Sequence, residues 1–355
     1  MVTKMIMKKV ILLGTPFFTT ELRSSLSDAS IEASEYIDGT IIDDALYVYY
    51  GDSVKDKTPN YAHLSLAELA QKKMIVPIIK DLNEFYSFIP NELAAINAIS
   101  IESSFEIGKL KCFILEYFGL LETNRKIFIS YKRSDCMAFA HQLHDSLIAA
   151  HYKPFLDSYS IEYGVDFQEY LRHELSDSAV FIFLNTPNYE MSQFTMEELN
   201  MCNKLQMGIL EIKVPGSRNY DEAKFSVQYK LPEEVTSDKT FYATIIRDII
   251  SLLENSRLEM QSFRQKALSD QLKSVYPDVI ADSETNGYES PSKKCKFFPV
   301  YHIPVSLDMQ TIQGYSANGL QVTGFYNGLY CRNDVRNHIE WLNGISPVKM
   351  LDITK

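Results

Sequence analysis

The stretch Ala179–Leu184 reads Ala-Val-Phe-Ile-Phe-Leu and is apolar at every position. A strand with one wet face alternates apolar and polar residues. A strand that is apolar throughout is covered on both faces, as the central strands of parallel sheets are. Its surroundings fit that demand. Lys126–Ser130, Lys153–Leu156 and Gly208–Val214 are short apolar strands. Asp135–Ala150 has helical periodicity, with Phe139, Leu143, Leu147 and Ile148 on one stripe, and Asp166–Leu175, Thr195–Leu205 and Phe241–Leu253 read as further helices. Strands alternating with helices predict a parallel sheet with helices on both faces.

Residues 1–122 alternate in the same way, so α/β segments are expected over 1–122 and 125–255, with a different texture over 256–355. That last part opens on a helical pattern, Arg257–Leu272. Asp282–Lys296 is polar, with Gly and Pro, and reads as a linker or mobile loop. A strand-like Phe297–Val305, hairpin-turn signals at Asn318-Gly319 and Asn327-Gly328, and a helical Asp334–Leu342 follow. Residues 256–355 are therefore expected to form a helix, a linker and a small α+β module.

Composition narrows the function classes. With 355 residues, 46% of them hydrophobic, the chain is long enough for two or three domains with cores of their own. A net charge of −11 argues against a surface built to grip nucleic acid, leaving at most an indirect or local contact. Cys112, Cys136, Cys202, Cys295 and Cys331 form no Cys-x-x-Cys pair, which disfavours a zinc ribbon, and spaced free thiols suit a reducing cytoplasm. No apolar run approaches the ~18 residues of a membrane span. The apolar stretch near Met1 is cut off by Pro16 and reads as a buried strand rather than a signal peptide. His141, His144 and Asp145 share a helix face, but with no further ligand cluster they read as a solvated face, and no metal site is expected. Gly14-Thr15-Pro16 lacks the Gly-Lys-Ser/Thr ending of a phosphate loop.

The first two segments share landmarks in one order. Asp43–Tyr49 parallels Asp177–Phe183. Asn60-Tyr61 leads to Glu68-Leu69 as Asn188-Tyr189 leads to Glu198-Leu199. Ile89–Leu93 parallels Leu231–Val235, and Leu120-Leu121-Glu122 parallels Leu252-Leu253-Glu254. Such a series suggests an internal duplication whose first copy is degenerate. That copy is shorter, lacking most of what lies between Tyr152 and Gly164.

Several motifs of the second segment are similar to those of the TIR (Toll/interleukin-1 receptor) family. Ile127–Asp135 matches its first box. Phe155-Leu156-Asp157 and Ile161–Gly164 resemble the second strand and the loop after it. Ser178–Phe183 resembles the central strand, and Ser192-Gln193-Phe194 through Glu198-Leu199 the box Ser-x-Trp-x-x-x-Glu-Leu, with Phe194 in place of the Trp. The resemblance covers about 130 residues and leaves the last hundred unaccounted for. It implies a flavodoxin-like parallel sheet, preceded by the degenerate TIR-like copy and followed by the small α+β module.

Some TIR domains are assembly modules, and others cleave NAD+ between nicotinamide and ribose. In the enzymes the Glu of the last box is catalytic, which falls on Glu198. A carboxylate beside the ribose stabilises the oxocarbenium-like charge that develops as neutral nicotinamide leaves. The resemblance further implies substrate contacts from Ser130, Tyr131, Lys132, Asp157, Gly164, Phe167 and Phe194, with Lys132 toward the pyrophosphate and Phe167 near the nicotinamide pocket. NAD+ would be the substrate, and no cofactor is implied. Thr195-x-x-Glu198 also fits a helix capping box, the commoner use of that spacing taken alone. Phe167 alone would more often be core, and Asp157 a cap.

The leading expectation is an NAD+ hydrolase of the bacterial antiviral-defence type, activated by self-association through TIR domains, with a sensor or regulatory protein as a further partner. A non-catalytic interaction module is the alternative, and a related nucleoside-processing enzyme a third. In the first copy Glu68 occupies the place of Glu198, but Leu64 replaces the aromatic and the substrate loop is missing, so that copy is expected to be catalytically dead.

Overall fold

A computed structural model describes residues 8–37, 39, 41–156, 167–191, 193–232, 243–282, 285–316 and 320–354. The chain divides into two compact units, Met1–Leu121 and Glu122–Lys355.

The amino-terminal unit contains β1 (Lys8–Gly14), α1 (Thr19–Leu26), β2 (Ile31–Glu35), β3 (Leu46–Gly51), α2 (Leu66–Gln71), β4 (Ile75–Ile79), α3 (Phe85–Phe88), β5 (Ile99–Ser100) and α4 (Ile107–Tyr117). Its sheet is parallel, in the order β2-β1-β3-β4-β5. The central strands β3 and β4 are buried at every residue, as continuous apolar strands must be.

The second unit begins with β6 (Lys126–Ser130), α5 (Arg133–Ala149), β7 (Lys153–Phe155), α6 (Phe167–Asp177), β8 (Val180–Asn185), α7 (Gln193–Leu205), β9 (Gly208–Lys213) and β10 (Val227–Lys230). The sheet order, β7-β6-β8-β9-β10, repeats that of the first unit, again wholly parallel. Alternation along the strands divides two cores. Ile127, Ile129, Ile182 and Leu210 meet Phe139, Leu143 and Leu147 of α5 on one face. Phe128, Phe181, Phe183 and Ile209 meet Leu171 and Leu175 of α6 and Leu199 and Cys202 of α7 on the other. Ile148 was expected on the α5 stripe but is 52% exposed, because one residue past Leu147 the helix has turned about 100° away from the sheet.

Two expected helices, Phe241–Leu253 and Arg257–Leu272, lie in one continuous helix, α8 (Ala243–Val275). At ~1.5 Å per residue its 33 residues span about 50 Å. Ile246, Ile249 and Leu253 pack on the second sheet, and Leu268 and Leu272 pack on a third. The latter contains β11 (Ile280–Ala281), β12 (Tyr288–Ser290), β13 (Cys295–Pro299), α9 (Ser306–Gln313), β14 (Gln321–Tyr326), α10 (Asn333–Ile345) and β15 (Lys349–Asp352). Its order is β11-β12-β13-β14-β15, antiparallel through β13 and parallel beyond. The stretch expected as a linker, Asp282–Lys296, thus contains β12 and the start of β13. Asn327-Gly328 makes no hairpin: α10 follows it and carries the chain to the parallel strand β15, and Gly328 N–H instead donates to Asp352 at 3.2 Å. Asn318-Gly319 lies outside the described residues. Among the described residues no helix is long and apolar enough to cross a membrane.

Two packing features generate predictions. A Cβ added to Gly208 would stand 2.9 Å from the Cα of Met260, where β9 and α8 touch. Gly208→Ala should therefore cost about 1–3 kcal/mol in urea unfolding, through overpacking. His302 lies between Glu122, 2.5 Å from Nδ1, and Asp308, 3.1 Å from Nε2. Burial alone would lower its pKa, but the two carboxylates outweigh burial and push it up to about 10. The unfolded chain's histidine titrates near ~6.5, so the native state holds the proton more tightly. The stabilisation is complete below about pH 6.5 and is lost as pH rises toward 10. The stability gap between wild type and His302→Gln should narrow across that window, which denaturation at a series of pH values would measure.

Candidate functional site

β6 lies beside β8 at the middle of the second sheet, and Ser130 ends β6 opposite Phe183. Ligands of open parallel sheets sit at such carboxyl-terminal edges, where the loops diverge. A cleft of about 390 Å³ opens there, lined by Ser130, Tyr131, Lys132, Leu171, Phe194 and Glu198 among others. Ser130 and Tyr131 are buried, Lys132 is intermediate, and Phe194 is half exposed at 51%.

The polar centre is compact. The Ser130 hydroxyl donates to Glu198 Oε2 at 2.5 Å, across 68 residues of sequence. Ser130 Oγ also lies 2.8 Å from the hydroxyl of Tyr189, which is fully buried. Burial raises the Tyr189 pKa well above its ordinary value, and the Glu198 charge raises it further, so the phenol stays a donor. Lys132 Nζ donates to the Asn188 carbonyl at 3.0 Å, which ties the loop after β6 to the loop after β8. Asp135 accepts from Ser134 and Thr186. Burial opposes ionisation there, but these hydrogen bonds and Lys132 keep its carboxyl below the ordinary range.

The capping-box reading of Thr195 and Glu198 is not realised. Thr195 lies inside α7, which begins at Gln193, and its hydroxyl donates to the Tyr189 carbonyl at 2.8 Å. The Glu198 carboxylate reaches across to β6. In the amino-terminal unit the serine half of such a cap forms: Ser65 caps α2 by accepting from Glu68 N–H at 3.2 Å. The Glu68 carboxylate pairs with Lys72 one turn on, at 2.8 Å, with both side chains about half exposed. Leu64 is buried in the core. At the end of β1, Gly14 has φ +77° and donates its N–H to the Tyr61 hydroxyl at 2.9 Å. A side chain there would collide with the Tyr50 carbonyl, so no Ser130 counterpart fits at Gly14.

Of the residues singled out from the sequence, Ser130, Tyr131, Lys132, Phe194 and Glu198 come together at the cleft. Asp157 and Gly164 lie outside the described residues, and Phe167 opens α6 with its side chain outside them. Cys136 and Cys202 are buried, as expected of small hydrophobes. Among the described residues no group of His, Cys, Asp and Glu is placed to hold a metal ion. Sequence reading missed the site role of Tyr189 and the lining role of Leu171. Tyr189 did carry a signal, since Asn188-Tyr189 recurs as Asn60-Tyr61 in the first copy.

Residues 127–218 match the family model described as TIR domain, so the second sheet carries a TIR domain, a family that includes NAD+ glycohydrolases. No curated protein matches the chain. Among solved structures the chain is similar to the TIR domains of the activated Roq1 resistosome directly recognizing the pathogen effector XopQ, at 18% identity over 43% of this chain and 99% of that one, with a TM-score of 0.25. It is also similar to the Escherichia coli RcsC carboxyl terminus containing a linker region and phosphoreceiver domain, at 11% identity over 73% and 97% of the two chains, TM-score 0.23. A third is the carboxyl-terminal domain of glucosamine-fructose-6-phosphate aminotransferase from Francisella tularensis, at 12% identity over 72% and 85%, TM-score 0.26.

The Thr195 geometry is testable by stability. At an N-cap, Asp serves about as well as Thr. Here the side chain must donate to a carbonyl, and Asp would aim a carboxylate at it in a buried place. Thr195→Asp should destabilise the protein by about 2 kcal/mol or more, measured by urea unfolding, while Ser65→Asp in the real cap should stay within about 0.5 kcal/mol.

Proposed function

We propose that the TIR domain cleaves NAD+ at the nicotinamide–ribose bond, with Glu198 as the catalytic carboxylate. The observation that carries this reading is the Glu198 carboxylate, drawn to the end of β6 by Ser130 and lining an open cleft. As the bond from ribose C1′ to the pyridinium nitrogen breaks, its electron pair leaves with nicotinamide, which becomes neutral. Positive charge then builds on C1′ and the ring oxygen. A fixed carboxylate beside them is worth most in this state, which is how it lowers the barrier. Water adds to C1′ and gives up a proton, leaving ADP-ribose. Attack by an adenine nitrogen instead would give a cyclic product.

The other contacts follow from their placement. Phe194, half exposed at the cleft, offers a flat face to a ring, without the indole donor of the family's Trp. Lys132 can meet the pyrophosphate by turning from the Asn188 carbonyl. On this reading Asp157, Gly164 and Phe167 are further substrate contacts, as the family resemblance implies. The amino-terminal unit is a degenerate, inactive copy: its strand order is the same, but Glu68 faces solvent and Lys72. Residues 1–122, 125–255 and 256–355 serve as inactive copy, TIR domain and carboxyl-terminal module. Activity of this kind destroys a shared cofactor, so a cytoplasmic antiviral effector that fires on self-association, under a sensor or regulatory partner, is the role that fits it. The alternative is a TIR interaction module whose cleft binds no substrate.

The test is nicotinamide release from NAD+ at rising protein concentration. Glu198→Gln keeps an oxygen to accept from Ser130 but removes the charge, so folding should survive while the rate falls at least ~100-fold. Equal rates in both proteins would remove Glu198 from the mechanism. Absence of release from wild type, with NAD+ unchanged in phage-challenged cells, would favour the interaction module.

A further inference from the structure

Ser130 has one proton to give, and an ionised Glu198 can only accept. The 2.5 Å contact therefore takes that proton, which leaves the lone pairs of Ser130 Oγ for a donor. Tyr189 is that donor: its hydroxyl is 2.8 Å from Ser130 Oγ and 3.3 Å from the Thr195 carbonyl, so Ser130 is the nearer acceptor. The phenol is held in place from several sides. Its ring packs on Phe183, with centroids 5.3 Å apart, and the Thr195 hydroxyl ties down its backbone carbonyl.

We propose, on the reading that Glu198 meets the ribose, that Tyr189 is a positioning residue acting through Ser130. Two hydroxyls in series, Tyr189 to Ser130 to Glu198, fix the orientation of the carboxylate and hold it ionised. Hydrogen bonds in series polarise one another, so the outer hydroxyl makes the inner one a better donor. Ser130 thereby has a role toward the carboxylate itself, apart from any contact with substrate. Among the described residues of the amino-terminal unit no such relay forms: Tyr61 meets a backbone N–H at Gly14 and Glu68 pairs with Lys72.

Other titratable groups lie near Glu198, and the test leaves them all in place. Glu197 and Cys202 share its helix, Arg172 reaches the neighbouring hollow from α6, and Lys132 and Arg133 line the cleft from the loop after β6.

The experiment follows the Glu198 carboxyl by NMR titration of protein labelled with 13C at glutamate Cδ, its signal identified by its loss in Glu198→Gln. Tyr189→Phe, which keeps the buried ring, should raise the Glu198 pKa by about half a unit, and Ser130→Ala by about one unit or more. In the Ser130→Ala background, Tyr189→Phe should add nothing. With NAD+, kcat for Tyr189→Phe should fall about three- to tenfold and KM change less than about twofold, with the acid limb of the pH–rate profile moving up in step. An unmoved titration in Tyr189→Phe, or an equal shift with and without the Ser130 hydroxyl, would overturn the relay. If Tyr189→Phe does not fold, Ser130→Ala decides from the other end: an unchanged Glu198 pKa there overturns the proposal too. If wild type leaves NAD+ intact while the titrations shift as expected, the relay stands and the NAD+ reading falls.

Discussion

Arg264, midway along the second half of α8, is only 4% exposed, and a charge so buried costs several kcal/mol unless it is fully met. Its two terminal nitrogens are met by backbone, and its Nε finds no partner among the described residues. Nη1 donates to the Ser178 carbonyl at 2.9 Å and Nη2 to the Ser176 carbonyl at 2.8 Å. These carbonyls stand at the end of α6, the negative pole of that helix. Asp177 lies between them: its Oδ1 accepts from Ile303 N–H at 2.9 Å and its Oδ2 from Lys126 Nζ. One short segment, Ser176–Ser178, thus joins the first strand of the TIR sheet, the long helix and the chain leading into α9. Glu122 adds a second knot. Its N–H donates to Gln261, its carbonyl accepts from Arg257, and its carboxylate meets His302. The TIR fold and the carboxyl-terminal module therefore belong to one compact unit.

This junction explains which parts of the fold were legible in the sequence. Within the TIR segment the local signals sufficed. Continuous apolar strands and the stripe Phe139, Leu143 and Leu147 placed β6, β8, β9 and α5 to within a residue or two, because the core of a parallel sheet requires that patterning. Farther along the chain the decisive terms were tertiary. One helix serves two sheets along a single buried stripe, but the middle of that stripe holds Glu254, Arg257 and Arg264, and this gap in apolar residues read as a break between two helices. The polar Asp282–Lys296 stretch read as a linker because its contacts are largely polar, such as Lys296 to Asp282 at 2.8 Å. Such pairs leave no apolar periodicity behind.

The site divides in the same way. The meeting of Glu198, Ser130 and Phe194 at one cleft was legible through the family boxes, which fix residue type at set spacing. The use of Thr195 was not. A Thr three residues before a Glu has two structural outcomes, a reciprocal cap or an interior residue whose hydroxyl is taken by a carbonyl, and the choice depends on where the helix starts. α7 starts two residues before Thr195, and the Tyr189 carbonyl decides the rest. Ser65 took the capping role, because α2 starts directly after it, while the Glu68 carboxylate turned to Lys72.

That contrast bears on how one topology comes to set a glutamate in two ways. Both parallel sheets set their first strand beside the third, and in both a tyrosine hydroxyl meets the end of the first strand. What differs is the direction of the glutamate. A capped helix start gives a backbone donor to Ser65 and leaves Glu68 to an exposed ion pair with Lys72 that water screens. α7 starts before Thr195, and the Glu198 carboxylate crosses to Ser130. A shift of a few residues in where one helix begins therefore separates a surface ion pair from a carboxylate held at the mouth of a cleft. The glutamate alone, without the serine and tyrosine behind it, does not make the site.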